Sequence, residues 1–212
     1  MGKRMQSRAE EFANSASHVL GLLAALSGTP FLIAAMAGEG SIANVAGVSV
    51  FAASMVLLYL SSALYHGAAQ GPRKSFFHKL DHAAIYVLIA GTYTPFTLGV
   101  LGGVWGWTLF GLIWAMASIG LLLKAFGGLS NRFASIGLYL LMGWLIVVAA
   151  VPLIEKVPMA GLLWLVAGGL AYTGGVIFYA LSSRLRFGHF IWHLFVMAGT
   201  TCHFFAVLWY SA

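Results

Sequence analysis

Seven apolar runs, each long enough to cross a lipid bilayer, dominate this sequence of 212 residues. They cover residues 17–37, 45–66, 80–100, 105–123, 133–154, 159–181 and 189–210. A helix rises 1.5 Å per residue, so about 20 residues match a hydrocarbon core ~30 Å thick. Only 8% of the residues are charged and 61% are hydrophobic, whereas soluble domains carry about 25% charged residues. A soluble domain is therefore excluded. A transmembrane barrel would show short segments of alternating polarity, and these runs are long and continuous. The expected fold is an all-α integral membrane protein, a seven-transmembrane helix bundle. Residues 1–16 would form an N-terminal arm and residues 17–212 the bundle, with short links that make neighbouring helices antiparallel.

The cations orient the bundle. Lys3, Arg4 and Arg8 precede the first run, Arg73, Lys74 and Lys79 follow the second, Lys124 and Arg132 the fourth, and Arg184 and Arg186 the sixth. All ten fall at one end if seven helices alternate, and the other end has only Lys156, with the acids Glu39 and Glu155. The positive-inside rule then puts the N-terminus in the cytoplasm and the C-terminus outside. The net charge of +6 is thus a topology signal, and no nucleic acid is expected as a partner. Membrane lipids are.

The basic N-terminus and the Ala35-Met36-Ala37 triplet imitate a signal peptide with its cleavage site. The run from 16 to 37 is long enough to span, so it is expected to stay. Cys202 is the only cysteine, which leaves no intrachain disulfide and suggests packing. Gly102, Gly106, Gly168 and Gly169 are expected to let helices approach closely, within the chain or, alternatively, in a homo-oligomer. Pro30 and Pro95 lie inside spanning runs and should kink them, freeing carbonyls that neighbours must satisfy. Trp105, Trp107 and Tyr210 suit the interfacial aromatic belt.

Ionisable side chains inside a spanning run are functional candidates, because burying them in lipid is costly. His189 and His193 are one helical turn apart and can reach one metal ion together. On the expected topology, His66 at the end of the second run and Asp81 at the start of the third share their layer. Glu11, Asn14 and His18 enter the first run at the same end. His66, His189 and His193 with one open position form a catalytic type of zinc site; closed structural sites favour four protein ligands, commonly cysteines. Zinc lowers the pKa of bound water toward ~7. Asp81 could orient that water or act as general base, or simply cap the third helix. Ser62, one turn before His66, could support the site. His78 and His82 form a second pair at helical spacing that spacing alone does not exclude as ligands. His78 lies in a cationic loop beside Lys79, which argues against it. Glu11 has the simpler reading of an acid at a helix N-terminus. His203 shares a face with His193 but lies ~15 Å deeper along the helix, which suits packing or a deep cavity.

The stretches SSALYH at 61–66, KLDHAAIYVLIAGTYTPF at 79–96 and HFIWHLFVMAGTTCHF at 189–204, with EEFANSASH at 10–18, resemble the hemolysin III family. That family belongs to the progestin and adipoQ receptor superfamily, which includes the adiponectin receptors. The resemblance implies a seven-helix bundle with a cytoplasmic N-terminus and zinc on the histidines at 66, 189 and 193. It also implies Asp81 at the metal's water and Ser62 nearby. His82 stands where the animal receptors are expected to carry tyrosine. The long N-terminal region of those receptors has no counterpart, so hormone reception is unsupported. The compact length fits a bacterial protein of the inner membrane, with the site near the cytoplasmic face.

The function expected from these residues is metal-dependent hydrolysis of a lipid amide or ester, in part by analogy with superfamily members linked to ceramide hydrolysis. One alternative is a membrane-lytic protein, as the family name implies; a pore would need polar lining through the full membrane thickness. Another is a regulator of membrane state or of ion and proton homeostasis, with the histidines as a proton relay.

Overall fold

The chain reverses direction after every apolar run because the links are too short for anything else. The computed structural model describes residues 4–39, 41–126 and 131–212. Lys3 and Gly40, and with Glu39 its side chain, lie outside what is described. Among the described residues there are eight α-helices and no strand. They are α1 (Arg8–Glu39), α2 (Ile42–Gly67), α3 (Pro72–Pro95), α4 (Gly103–Ala125), α5 (Arg132–Trp144), α6 (Ala150–Lys156), α7 (Met159–Leu181) and α8 (Gly188–Tyr210). A π-helical turn, Phe96–Leu101, extends α3, and a 3-10 turn, Leu145–Ala149, joins α5 to α6. Seven of the resulting rods are long and apolar enough to cross a membrane.

Two helices start earlier than hydropathy predicts. The first begins at Arg8, so much of the sequence assigned to the arm 1–16 is the opening of α1. Ser7 and Glu10 form a reciprocal capping box there: Ser7 Oγ accepts the Glu10 N–H at 3.3 Å, and the Glu10 carboxylate accepts the Ser7 N–H at 2.9 Å. The third begins at Pro72, with proline in the first turn where its missing N–H is harmless. Gly71 before it has φ +146°, a conformation that favours glycine. The cationic stretch read as a loop around His78 is therefore helical, and Asp81 lies two turns and more inside α3.

Contacts between helix ends fix the alternation independently of hydropathy. Lys74 at the start of α3 pairs with Glu11 at the start of α1 at 3.0 Å. Arg132 at the start of α5 donates to the Tyr179 and Ala180 carbonyls near the end of α7. At the opposite end, Lys156 donates to the Val100 and Leu101 carbonyls, capping the π-helical turn.

The prolines behave differently from a simple kink. α1 continues through Pro30. After Pro95 the ladder slips into the π-helical turn, and Thr97 Oγ1 donates to the Tyr93 and Thr94 carbonyls, each at 3.1 Å. The Tyr93 hydroxyl meanwhile enters the break after α5: it accepts the Ile146 N–H at 2.9 Å and donates toward the Met142 and Gly143 carbonyls. A side chain inserted into a helical ladder is a recognised cause of such breaks.

α2 packs between α1 and α3, α8 packs on α7 and α1, and α3 meets α4 and α5. Leu32, Val48, Phe51, Leu109 and Val207 fill the interior, while Leu23, Phe31, Trp107, Leu163 and Ile177 face outward. An apolar exterior is what a hydrocarbon surrounding demands. Gly168 is a close-approach glycine, since a methyl there would fall on the His203 ring. Gly169 is not crowded, and Gly102 serves conformation instead, with φ +54° and open space around it.

Candidate metal centre

The first three turns of α1 supply a polar face to the interior, and the end of α2 and the start of α8 supply the histidines it holds. His66 is in the last turn of α2, and His189 and His193 are in the first two turns of α8. Their rings converge: centroids lie 5.0 Å apart for His66 and His189, 5.0 Å for His66 and His193, and 4.7 Å for His189 and His193. One nitrogen from each lies within 4.8 Å of the others. Bonds of ~2.0–2.1 Å to a tetrahedral ion would set these nitrogens about 3.3 Å apart. Less than about 1 Å of movement per ring separates the two arrangements.

The tautomers favour an ion. His66 Nδ1 lies 2.7 Å from Glu11 Oε2, and a carboxylate only accepts, so that nitrogen is the donor. In the neutral imidazole the opposite nitrogen, Nε2, is then a bare lone pair, and it is buried without a hydrogen-bond partner. Leaving such an acceptor unsatisfied costs about 1–3 kcal/mol. His193 Nδ1 likewise faces acceptors, the Asn14 carbonyl at 3.2 Å and Ser17 Oγ at 3.1 Å. The Ser17 hydroxyl hydrogen is engaged by that same carbonyl at 2.8 Å. Carboxylate and carbonyl groups that hold a ligand's other nitrogen are the usual support of metal-bound histidine. The donor set and the orphaned nitrogen together fit a zinc-type ion.

α1 does most of the supporting. Glu11 is shared between His66 and Lys74, and Lys74 also donates to the Tyr65 and Ala68 carbonyls at the end of α2. Asn14 Nδ2 donates to Gln6 at 2.7 Å and lies 3.4 Å from His66 Nδ1. His18 is buried and stacks on His193 with centroids 3.6 Å apart. Glu11 is therefore more than an acid favouring a helix N-terminus. Sequence reading missed Ser17 and Lys74, although the spacing Asn14, Ser17, His18 was a readable helical face.

Asp81 is buried on α3 beside Ser62, whose hydroxyl makes no well-formed hydrogen bond. Its carboxylate lies 3.6 Å from His82 Nδ1. With α3 starting at Pro72, Asp81 cannot be the helix cap. In the second histidine pair, His82 is otherwise occupied. His82 Nδ1 donates to the His78 carbonyl at 3.0 Å, and His82 Nε2 lies 3.3 Å from the Tyr179 hydroxyl. His203 is a packing residue that donates from Nε2 to the Leu165 carbonyl at 3.2 Å.

Comparison with known proteins places the chain among relatives that it matches over most of its length. Residues 6–204 match the family described as haemolysin-III related. A protein named Hemolysin-3 homolog from Bacillus subtilis is 42% identical over 201 residues, covering 95% of this chain and 94% of the relative. Hemolysin-3 of Bacillus cereus is 43% identical over 212 residues, with 99% and 95% covered. A more distant relative, the human monocyte to macrophage differentiation factor, is 32% identical over 135 residues, which is 62% of this chain and 54% of that protein.

Proposed function

Given that the chain belongs to the haemolysin-III-related family, we propose that it is a membrane-embedded hydrolase of a lipid amide or ester that depends on zinc. The observation carrying this reading is the convergence of His66, His189 and His193, each able to turn one nitrogen to a common point. These three would hold the ion. When bound, zinc supplies a Lewis acid that polarises a carbonyl and acidifies water. Three protein ligands leave one position open, which is the catalytic rather than the structural pattern.

The chain's own residues have distinct parts in this reading. Glu11 fixes the tautomer of His66, and Asn14 and Ser17 fix that of His193. Asp81 takes a proton from the attacking water at its carboxylate, with Ser62 beside it to accept or donate a hydrogen bond. The acyl chain of the substrate lies among apolar side chains of the bundle, and the cation-rich end faces the cytoplasm of a bacterial inner membrane.

A second reading comes from the names of the Bacillus relatives, and it is membrane lysis without enzyme activity. The buried hydroxyls deeper in the bundle speak against a polar bore, because Ser54, Thr92, Thr94 and Thr200 bond carbonyls of their own helices. Elemental analysis of purified wild type beside His193→Ala tests the metal: about one zinc per chain is expected, lost in the variant. Incubation with short- and long-chain ceramides and lysolipids tests the chemistry. If wild type cleaves none of them, regulation of membrane state replaces hydrolysis as the better reading.

A further inference from the structure

Four histidines meet at this layer, and the group of three converging nitrogens leaves out His18. That residue reaches in from α1 and is 3% exposed. Its imidazole lies flat on that of His193, with centroids 3.6 Å apart and planes 11° from parallel. Tyr59 meets it edge-on at 5.2 Å and 78°. Neither ring nitrogen of His18 has a hydrogen-bond partner. A buried histidine is ordinarily held by its nitrogens. This one is held by its ring, and a ring face is what it offers its neighbour.

Two neutral aromatic rings do not choose that arrangement. Their quadrupoles repel face to face, so pairs adopt offset or edge-on geometries with centroids about 4.5–7 Å apart. Repulsion becomes attraction when one ring is electron-poor, for the same reason that a cation is drawn to an aromatic face. An imidazole bound to a divalent cation is such a ring. His193 has its Nδ1 occupied by the Asn14 carbonyl and Ser17, which leaves Nε2 for the ion. The neutral ring above it then matches the metal-bound form of His193 better than the empty form.

We propose that His18 is a positioning residue of the metal centre, its ring face holding the His193 imidazole in the ligating orientation. The inference rests on the metal reading above and adds to it a residue that touches no metal. A non-aromatic side chain at position 18 would leave the His193 ring anchored only through Nδ1, able to tilt about those hydrogen bonds, and the centre would lose both affinity and geometry. Hydrogen-bonding supports of ligand histidines are typically worth about 10–100-fold in metal affinity, and a loss of that order is expected for this stacked support.

The test uses full-length wild type, His18→Phe, His18→Leu and His18→Gln in detergent, each loaded with Co²⁺. Circular dichroism establishes that each is folded. The readouts are the visible absorption bands of bound cobalt and the dissociation constant from competition with a chelator. His18→Phe is expected to keep the wild-type bands and an affinity close to wild type. His18→Leu and His18→Gln are expected to shift the bands and bind about 10–100-fold more weakly. Should His18→Leu unfold, the folded Gln variant decides. Wild-type bands in His18→Gln overturn the inference, and so does an equal loss in His18→Phe, which would put the role in the nitrogens. Absence of cobalt bands from wild type itself overturns the metal reading and this one with it. Bands present in wild type and indifferent to position 18 overturn this inference alone.

Discussion

The carboxylate of Glu10 accepts the backbone N–H of Phe187 at 2.8 Å, joining residues 177 positions apart in sequence. Phe187 is the residue before α8 and has φ +57°, the left-handed region that non-glycine residues rarely occupy. Arg4 donates to both oxygens of the same carboxylate and to the Leu185 carbonyl in the α7–α8 turn. The start of α1 is thereby tied to the start of α8, two residues before His189.

Glu10→Gln should therefore loosen the α8 start. Glutamine can still accept from Phe187 but not as an anion, and it no longer matches Arg4. The bond to the buried carboxylate loses its charge assistance, so a lower melting temperature in detergent is expected. Zinc should also leave faster when a chelator is added. A variant that melts lower with an unchanged release rate would separate this tie from the metal centre.

Glu11→Gln should act on the metal directly. The carboxylate holds His66 Nδ1 at 2.7 Å and is itself held by Lys74 at 3.0 Å. An amide can present its NH₂ to that nitrogen and favour the wrong tautomer. Removing such a support typically costs about 10–100-fold in metal affinity. Competitive titration against a chelator of known affinity measures it, and an affinity equal to wild type would reduce Glu11 to a charge at a helix end.

Much of this was legible in the sequence because hydrocarbon thickness imposes a length on every spanning helix. α7 and α8 lie where hydropathy puts them, since nothing polar extends them into water. α1 and α3 exceed the prediction because their first turns are polar, and hydropathy reads polar as loop. The local signals were present all the same: Ser7 and Glu10 as a capping box, and Pro72 after Gly71 as a helix start. Shared depth predicted that His66, His189 and His193 would meet. The rings that each would face could not be read from depth. The stack of His18 on His193 depends on how α1 rotates about its own axis, and periodicity does not give that rotation to within one side chain.

The orientation across the membrane proposed from the cation distribution is testable at exposed link residues. In a Cys202→Ser background, Gln70→Cys should resist a membrane-impermeant thiol reagent applied to intact cells, and Ser41→Cys should react. Gln70 is preferable to Gly71, whose φ of +146° a cysteine would strain. The reverse pattern would put the histidine layer at the outer face.

The metal proposed for the three histidines should also stabilise the fold by joining α2 to α8. A ligand bound only by the native state adds RT ln(1 + [L]/Kd), about 4 kcal/mol at a thousandfold excess over Kd. A strong chelator should lower the melting temperature of wild type and leave His66→Ala or His189→Ala almost unchanged. Equal sensitivity in those variants would redirect attention to His78 and His82, whose rings lie 4.2 Å apart on α3.

On the proposed hydrolase reading, Asp81→Asn should keep the metal and lose hydrolysis. Asp81 is buried next to Ser62 and His82, well inside α3, so a capping role is gone and asparagine has no cap to preserve. The three histidines already provide the protein ligands that a catalytic zinc requires. The carboxylate is then free to accept a proton, which the nearly isosteric amide cannot do. General-base contributions are typically 10²–10⁴-fold, a range that a ceramide or lysolipid assay resolves once wild-type cleavage is established. Zinc content measured on the same preparations separates the outcomes. Unchanged zinc with lost turnover supports Asp81 as the base. Lost zinc would make Asp81 a ligand and the three-histidine centre incomplete. Unchanged turnover would remove Asp81 from the chemistry and leave it as a polar neighbour of His82.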